Sequence, residues 1–70
     1  MDRIPVSSSN IRSIGYDFQS ETLEVEFHSG DIYQYFNVAK HLYRGLMNAA
    51  SKGQFLNDYI RYNYRYQKIK

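Results

Sequence analysis

The spacing of the apolar residues changes once along this chain, and that change limits the folds open to it. In the first half, Leu23, Val25 and Phe27 alternate with polar neighbours. Such alternation is typical of a strand with one buried and one exposed face. After residue 38 the apolar positions recur at helical spacing instead. The sequence therefore predicts strands first and helices after them, an α+β fold.

Three strands are predicted, and we expect them to form a small antiparallel meander. Their ranges are 11–16, 22–28 and 31–36. Residues 17–21 form the first turn of this meander, and Ser29 with Gly30 supplies the second. Glycine tolerates the positive φ that a tight hairpin needs.

Two amphipathic helices are predicted after the strands, packed on one face of the sheet. The apolar positions of the first helix are Ala39, Leu42, Tyr43, Leu46, Met47 and Ala50, with Gly45 among the outward residues. Ser51 and Gln54 have the spacing of a capping box, which starts the second helix. That helix is expected to bury Phe55, Leu56, Tyr59 and Ile60. The tail after residue 61 either adds a short strand or lies along the surface.

The composition allows one small domain, residues 1–70, and excludes several classes of protein. No cysteine is present, so neither a disulfide nor a cysteine-based zinc site can stabilise the chain. Eight Tyr and four Phe supply the packing instead. No apolar run approaches the roughly 18 residues of a membrane span, and the first residues lack the apolar stretch of a signal peptide. We expect a cytoplasmic protein without membrane contact or cofactor.

The charges divide the chain into an acidic and a basic half. Residues 1–38 carry two basic and six acidic residues, a net charge of −4. Residues 39–70 carry seven basic residues and one acidic residue, a net charge of +6. The basic half either attracts an anionic partner or pairs with the acidic half.

Several short motifs occur in the order and spacing of a known family. They are Val6-Ser7-Ser8-Ser9-Asn10-Ile11, Ile14-Gly15-Tyr16-Asp17, Leu23-Glu24-Val25-Glu26-Phe27 with Gly30, Tyr33-Gln34-Tyr35, Ser51-Lys52-Gly53 and Ile60-Arg61. Over residues 5–66 the chain resembles the KTSC domain family, named for its occurrence at the C-terminus of some lysyl-tRNA synthetases. The resemblance implies a single KTSC-like domain of bacterial or bacteriophage type with an RNA-binding role. The chain departs from the family pattern at Phe18 and Ala39, where members often carry Pro.

Tyr33 and Tyr35 are candidates for stacking on RNA bases, because residues two apart project from the same face of a strand. The hairpin decides which face they occupy. A two-residue Ser29-Gly30 loop puts both tyrosines beside the glutamates on the exposed face. A three-residue loop that also includes Asp31 puts both in the core. We favour the core placement, because a chain without Trp must use its tyrosines for packing.

The basic residues expected to contact phosphates are Lys52, Arg61 and Arg65, with Arg44 and Arg12 behind them. Lys52 and Gly53 stand at the start of the second helix, where unpaired backbone amides favour an anion. Alternatively, Ser51 only caps that helix and Lys52 is solvated. Arg61 and Arg65 are interleaved with tyrosines, which suits base stacking combined with charge. Those tyrosines instead cover a sheet edge in the simpler interpretation.

Catalysis and metal binding are not predicted. Glu24, Glu26 and His28 share one strand face, but exposed strand faces routinely carry such residues. No activating His or Lys stands near the serines at 7–9, and the four glycines lie singly. We expect a non-enzymatic monomer that binds RNA or another nucleic acid. The alternative is a module that docks on a larger protein such as RNA polymerase or the translation machinery.

Overall fold

The computed structural model describes residues 1–70 and shows a five-stranded antiparallel sheet with helices on one face. The strands are β1 (Arg3–Pro5), β2 (Ile11–Asp17), β3 (Thr22–Phe27), β4 (Ile32–Tyr35) and β5 (Tyr66–Lys68), in that order across the sheet. The helices are α1 (Lys40–Asn48) and α2 (Lys52–Phe55), and α2 continues as a π-helix over Leu56–Arg61. The α+β class and the antiparallel meander are confirmed, but the expected count of three strands is wrong.

The two strands beyond the predicted three lie at the edges of the sheet, and β5 lies in the tail, where a short strand was one of two alternatives. Each is only three residues long, which is too short to show an alternation. β1 pairs with β2 and ends at Pro5. Proline has no amide hydrogen to donate, and an edge strand tolerates this because one of its sides has no neighbouring strand. β5 pairs with β4, so part of the tyrosine-rich tail is a strand.

The β3–β4 hairpin places Tyr33 and Tyr35 on the core face of the sheet. Tyr33 pairs with Val25, and Tyr35 pairs with Leu23. The loop spans residues 28–30, one position earlier than the predicted three-residue loop, and the glycine at its end has a φ of 96°. This moves the register by two residues, which leaves the face unchanged. The core placement is confirmed, and Tyr35 is only 2% exposed.

The core lies between the sheet and the helices. It contains nine buried side chains: Ile11, Ile14, Leu23, Val25, Tyr35, Val38, Leu46, Leu56 and Ile60. Leu42, Tyr43 and Met47 of α1 pack against this core, as their spacing predicts. The Ser51 side chain accepts a hydrogen bond from the Gln54 amide at 3.4 Å, which confirms that Ser51 caps α2.

Three positions assigned to the helices differ from the prediction. Ala50 is exposed and lies beyond the end of α1 at Asn48, rather than facing the sheet. Tyr59 is exposed rather than buried, because the wider turn of the π-helix rotates it further from the Leu56 side. Gly45 faces Phe55 rather than solvent. A Cβ added at Gly45 would lie 2.7 Å from Phe55 Cζ, so the absence of a side chain lets the phenyl ring pack directly on α1.

A hydrogen-bonded ion pair lies on the sheet face opposite the helices. Glu24 is 4% exposed and bonds to both Arg3 and Gln34, the latter at 2.8 Å. Ser13 extends the network by accepting from Arg3 Nε at 3.1 Å and donating to Glu26 at 2.8 Å. Burial raises the pKa of Glu24, but the bonds from Gln34 and Arg3 outweigh it and hold that pKa below its ordinary value.

The expectation that Glu24 belongs to an exposed face is therefore wrong. The reason is β1, the strand that the pattern missed, since β1 brings Arg3 over the carboxylate. No group of three or more His, Asp or Glu side chains converges on a metal-binding geometry. None of the helices is both long enough and apolar enough to cross a membrane.

We expect the protein to lose stability in acid because of Glu24. A carboxylate whose pKa is lowered by folding adds stability above its unfolded pKa of about 4.3, and that stability is lost as the pH falls through the folded pKa. The free energy of unfolding, measured by urea titration, should decrease as the pH falls below about 5. Glu24→Gln should make this decrease shallower. An equally steep decrease in that variant would contradict the assignment to Glu24.

Candidate nucleic-acid interface

Two neighbouring depressions lie beside the π-helix. The larger, the polar cleft, encloses about 340 Å³ between the β3–β4 hairpin and the α2–π-helix segment. The smaller, the aromatic pocket, encloses about 170 Å³ between the π-helix and strands β4 and β5. Tyr33 and Arg61 line both. Two of the residues predicted from the sequence therefore stand at the border between the two depressions.

The polar cleft is lined by side chains from three separate parts of the chain. They are Ser9 and Asn10 before β2, His28 and Asp31 of the hairpin, and Asn57 and Arg61 of the π-helix. Gly53 lines it as well, and a Cβ there would come 3.3 Å from Asn10 Nδ2. His28 Nε2 lies 2.9 Å from the Ser8 carbonyl oxygen, so that nitrogen carries the hydrogen. The cleft therefore presents both hydrogen-bond donors and hydrogen-bond acceptors.

Tyrosine rings form most of the aromatic pocket. Its tyrosines are Tyr33, Tyr35, Tyr62 and Tyr66. The rings of Tyr33 and Tyr35 are stacked with centroids 6.3 Å apart, and the Tyr66 centroid lies 5.8 Å from that of Tyr33. Tyr62 and Tyr66 are 77% and 60% exposed, so a ligand in solution can reach both rings.

Arg61 ends the π-helix and provides the positive charge at the border. Its Nη1 donates to Asn57 Oδ1 at 3.3 Å, and its Cζ lies 5.7 Å from the centroid of the Tyr62 ring. None of the four ion pairs in the structure involves Arg61. Burial raises the pKa of the Tyr35 hydroxyl, and the charge of Arg61 acts against that increase. The guanidinium therefore faces the tyrosine cluster without a carboxylate to neutralise it.

The other four predicted phosphate contacts do not line either depression. Lys52 is partly exposed, and its Nζ donates to the Ala49 carbonyl at 3.1 Å, which ties α2 to the end of α1. Arg12 donates to the His28 carbonyl at 3.4 Å. Arg44 and Arg65 are exposed on α1 and before β5. Thus the structure gathers Gly53, Arg61, Tyr33 and Tyr35 and leaves the remaining cations elsewhere.

The polar residues of the cleft carry no signal in the sequence. Asn10, Asp31 and Asn57 stand far apart in sequence, and only the pairing of the strands and the packing of the π-helix bring them together. The interleaving of arginines and tyrosines in the tail is a sequence signal that points to Tyr62 and Tyr66 as candidate binding residues. That signal does not separate them from Tyr64, which is half-buried against the core.

Comparison with known proteins identifies close relatives. The model of the KTSC domain family matches residues 7–64. An uncharacterized protein of Stutzerimonas stutzeri (strain A1501) is 40% identical over 70 residues, which are 99% of each chain. The crystal structure of a KTSC domain protein from Yersinia pestis matches with a TM-score of 0.95 and 40% identity, covering 99% of this chain and 97% of that one.

A third relative is much longer than this chain. A lysine–tRNA ligase of Nostoc punctiforme (strain ATCC 29133 / PCC 73102) is 36% identical over 61 residues. Those residues are 87% of this chain but only 11% of the ligase. Together with the family match, these relatives confirm the resemblance that the sequence motifs indicate.

Proposed function

We propose that this chain, which belongs to the KTSC domain family, is a non-enzymatic module that binds single-stranded RNA. The observation that supports the proposal is Arg61, which forms no ion pair with a carboxylate and stands at the border between the polar cleft and the tyrosine-lined aromatic pocket. The name of the Nostoc relative, lysine–tRNA ligase, belongs to an enzyme that acts on an RNA. A matching segment in such an enzyme supports RNA as the ligand.

The shape of the site favours unpaired bases over a duplex. Bases within a duplex are stacked on one another, whereas single strands can place splayed bases against aromatic rings. Each such stack contributes about 1–3 kcal/mol and tolerates any base. Tyr62 and Tyr66 have exposed rings for this purpose, and Tyr33 forms the wall behind them. Arg61 can form two parallel hydrogen bonds to the phosphate that links neighbouring nucleotides.

We expect Arg61→Glu to weaken RNA binding at least about tenfold, because it replaces the phosphate contact with a repelling carboxylate. Affinity would be measured by fluorescence anisotropy with a uridine oligonucleotide of about ten nucleotides, at several salt concentrations. The slope of log K against log salt should become less steep by about one unit. Circular dichroism should show the wild-type fold, since Arg61 is exposed.

Arg44→Glu is the matched control. It makes the same charge change at an exposed position of α1 outside both depressions, and it should change the affinity much less. Equal losses from both variants would show that net charge, not this site, governs binding. If wild-type protein has no salt-dependent affinity for RNA at low ionic strength, the proposal fails and docking on a larger protein becomes the better interpretation.

A further inference from the structure

The polar cleft contains a carboxylate that an RNA-binding site would be expected to avoid. Asp31 lines the cleft with Arg61 and is half-exposed. Its Oδ1 lies 3.5 Å from Lys68 Nζ, and both side chains of this ion pair are exposed to water. No hydrogen bond within the protein uses Oδ2. Exposed pairs of this kind contribute little to stability, so the carboxylate is available to a ligand.

A carboxylate in this place selects which part of an RNA can enter. It repels phosphate, so a phosphate does not occupy the side of the cleft where Asp31 lies. It accepts hydrogen bonds from N–H groups, and in RNA the bases carry them. Asn10, Asn57 and His28 line the same cleft and offer further polar contacts to a base. The volume of about 340 Å³ lies in the range of pockets that enclose small molecules.

Guanine matches a carboxylate better than the other three bases. Its Watson–Crick edge carries two adjacent donors, N1–H and the N2 amino group, which two carboxylate oxygens can accept side by side. Adenine and cytosine place an acceptor nitrogen beside their single amino group, and uracil flanks its one N–H with carbonyl oxygens. In each of these three bases an acceptor would face a carboxylate oxygen.

We propose that the polar cleft binds one guanine base of single-stranded RNA and that Asp31 reads its Watson–Crick edge. This inference rests on the RNA-binding function proposed above and names a preferred ligand for it. Tyr33 and Arg61, at the border with the aromatic pocket, contact the linkage to the next nucleotide. The aromatic pocket then takes the neighbouring base by stacking, without selecting among bases.

The test uses uridine oligonucleotides of about ten nucleotides with one central substitution. The central residue is guanosine, inosine, adenosine or cytidine, and the dissociation constants are compared at one salt concentration by fluorescence anisotropy. Wild-type protein should bind the guanosine oligonucleotide at least about fivefold more tightly than the adenosine or cytidine ones, because a bidentate contact discriminates between bases by at least about this factor. Inosine lacks the N2 amino group but keeps N1–H, so its affinity should be intermediate.

Asp31→Asn should abolish the preference, because the amide offers only one acceptor oxygen. Asp58→Asn is the matched control, since it removes the same charge from the π-helix outside both depressions, and it should keep the preference. Equal wild-type affinities for all four oligonucleotides would overturn the guanine assignment while leaving RNA binding intact. Retention of the preference in Asp31→Asn would overturn the role of Asp31. The absence of measurable binding to every oligonucleotide at low ionic strength would overturn both proposals.

Discussion

Tyr35→Ala is expected to lower the free energy of unfolding by about 3–5 kcal/mol, the usual loss when a buried aromatic ring is truncated. Tyr35 is 2% exposed and belongs to the core between β4 and the helices. Its ring also stacks on that of Tyr33. A domain of this length has a total stability of roughly 4–10 kcal/mol, so the loss is a large part of the whole. The variant should be largely unfolded at moderate urea concentrations.

Urea titration followed by far-UV circular dichroism measures this effect. Tyr66→Ala is the control, because Tyr66 pairs with Tyr35 in the sheet but is mostly exposed, and its loss of stability should stay below about 1 kcal/mol. Tyr35→Phe keeps the ring and should remain folded. An unchanged midpoint for Tyr35→Ala would show that the ring is not part of the core and that the register of β3 and β4 is wrong.

Arg3→Ala should cost about 3 kcal/mol, because it leaves the buried Glu24 carboxylate without its cation. The figure is at the low end for a broken buried pair, since the Arg3 side chain is 28% exposed and water can partly replace it. Lys40→Ala is the control. It breaks the pair between Lys40 and Glu21, whose side chains are both exposed, and should cost less than about 1 kcal/mol.

The pH dependence of the Arg3→Ala variant separates a lost ion pair from simple loss of packing. Without Arg3, burial is opposed only by the hydrogen bond from Gln34 and the charge of the N-terminus, and the pKa of Glu24 should rise. The carboxyl group then protonates more readily, which relieves the unpaired charge. The difference in unfolding free energy between wild type and variant should therefore shrink as the pH falls toward about 3. A difference that stays constant with pH would show that Glu24 is not its cause.

Local patterns predicted the parts of the fold that repeat regularly over several residues. The three central strands alternate over four or more residues, and α1 presents its apolar residues on one side. The cap at Ser51 is also local, because its partner is only three residues away. The core placement of Tyr33 and Tyr35 was favoured because a chain without Trp packs its tyrosines, and a register shift of two residues does not alter the face they occupy.

The remaining features depend on contacts between distant parts of the chain. β1 is too short for a periodic signal, and missing it led directly to the wrong environment for Glu24. The tail left two alternatives open, and only its pairing with β4 distinguishes the strand from a surface segment. The candidate site had the same difficulty. Arg61 and the tyrosines were identifiable from composition, but Asn10 and Asp31 reach the cleft only through the arrangement of the whole sheet. Residue type alone does not identify Asn10 and Asp31 as residues of the cleft.

The π-helix determines the angular position of Arg61 about the helix axis. A π turn holds more residues than an α turn, and each residue of an α-helix advances by about 100°. If the same residues were wound as an ordinary α-helix, Arg61 would turn away from the border of the two depressions. The direction of the guanidinium is thus set by the helix type together with the number of residues before it. A homologous chain one residue shorter here, with an α-helix in place of the π-helix, would present the arginine on nearly the same side.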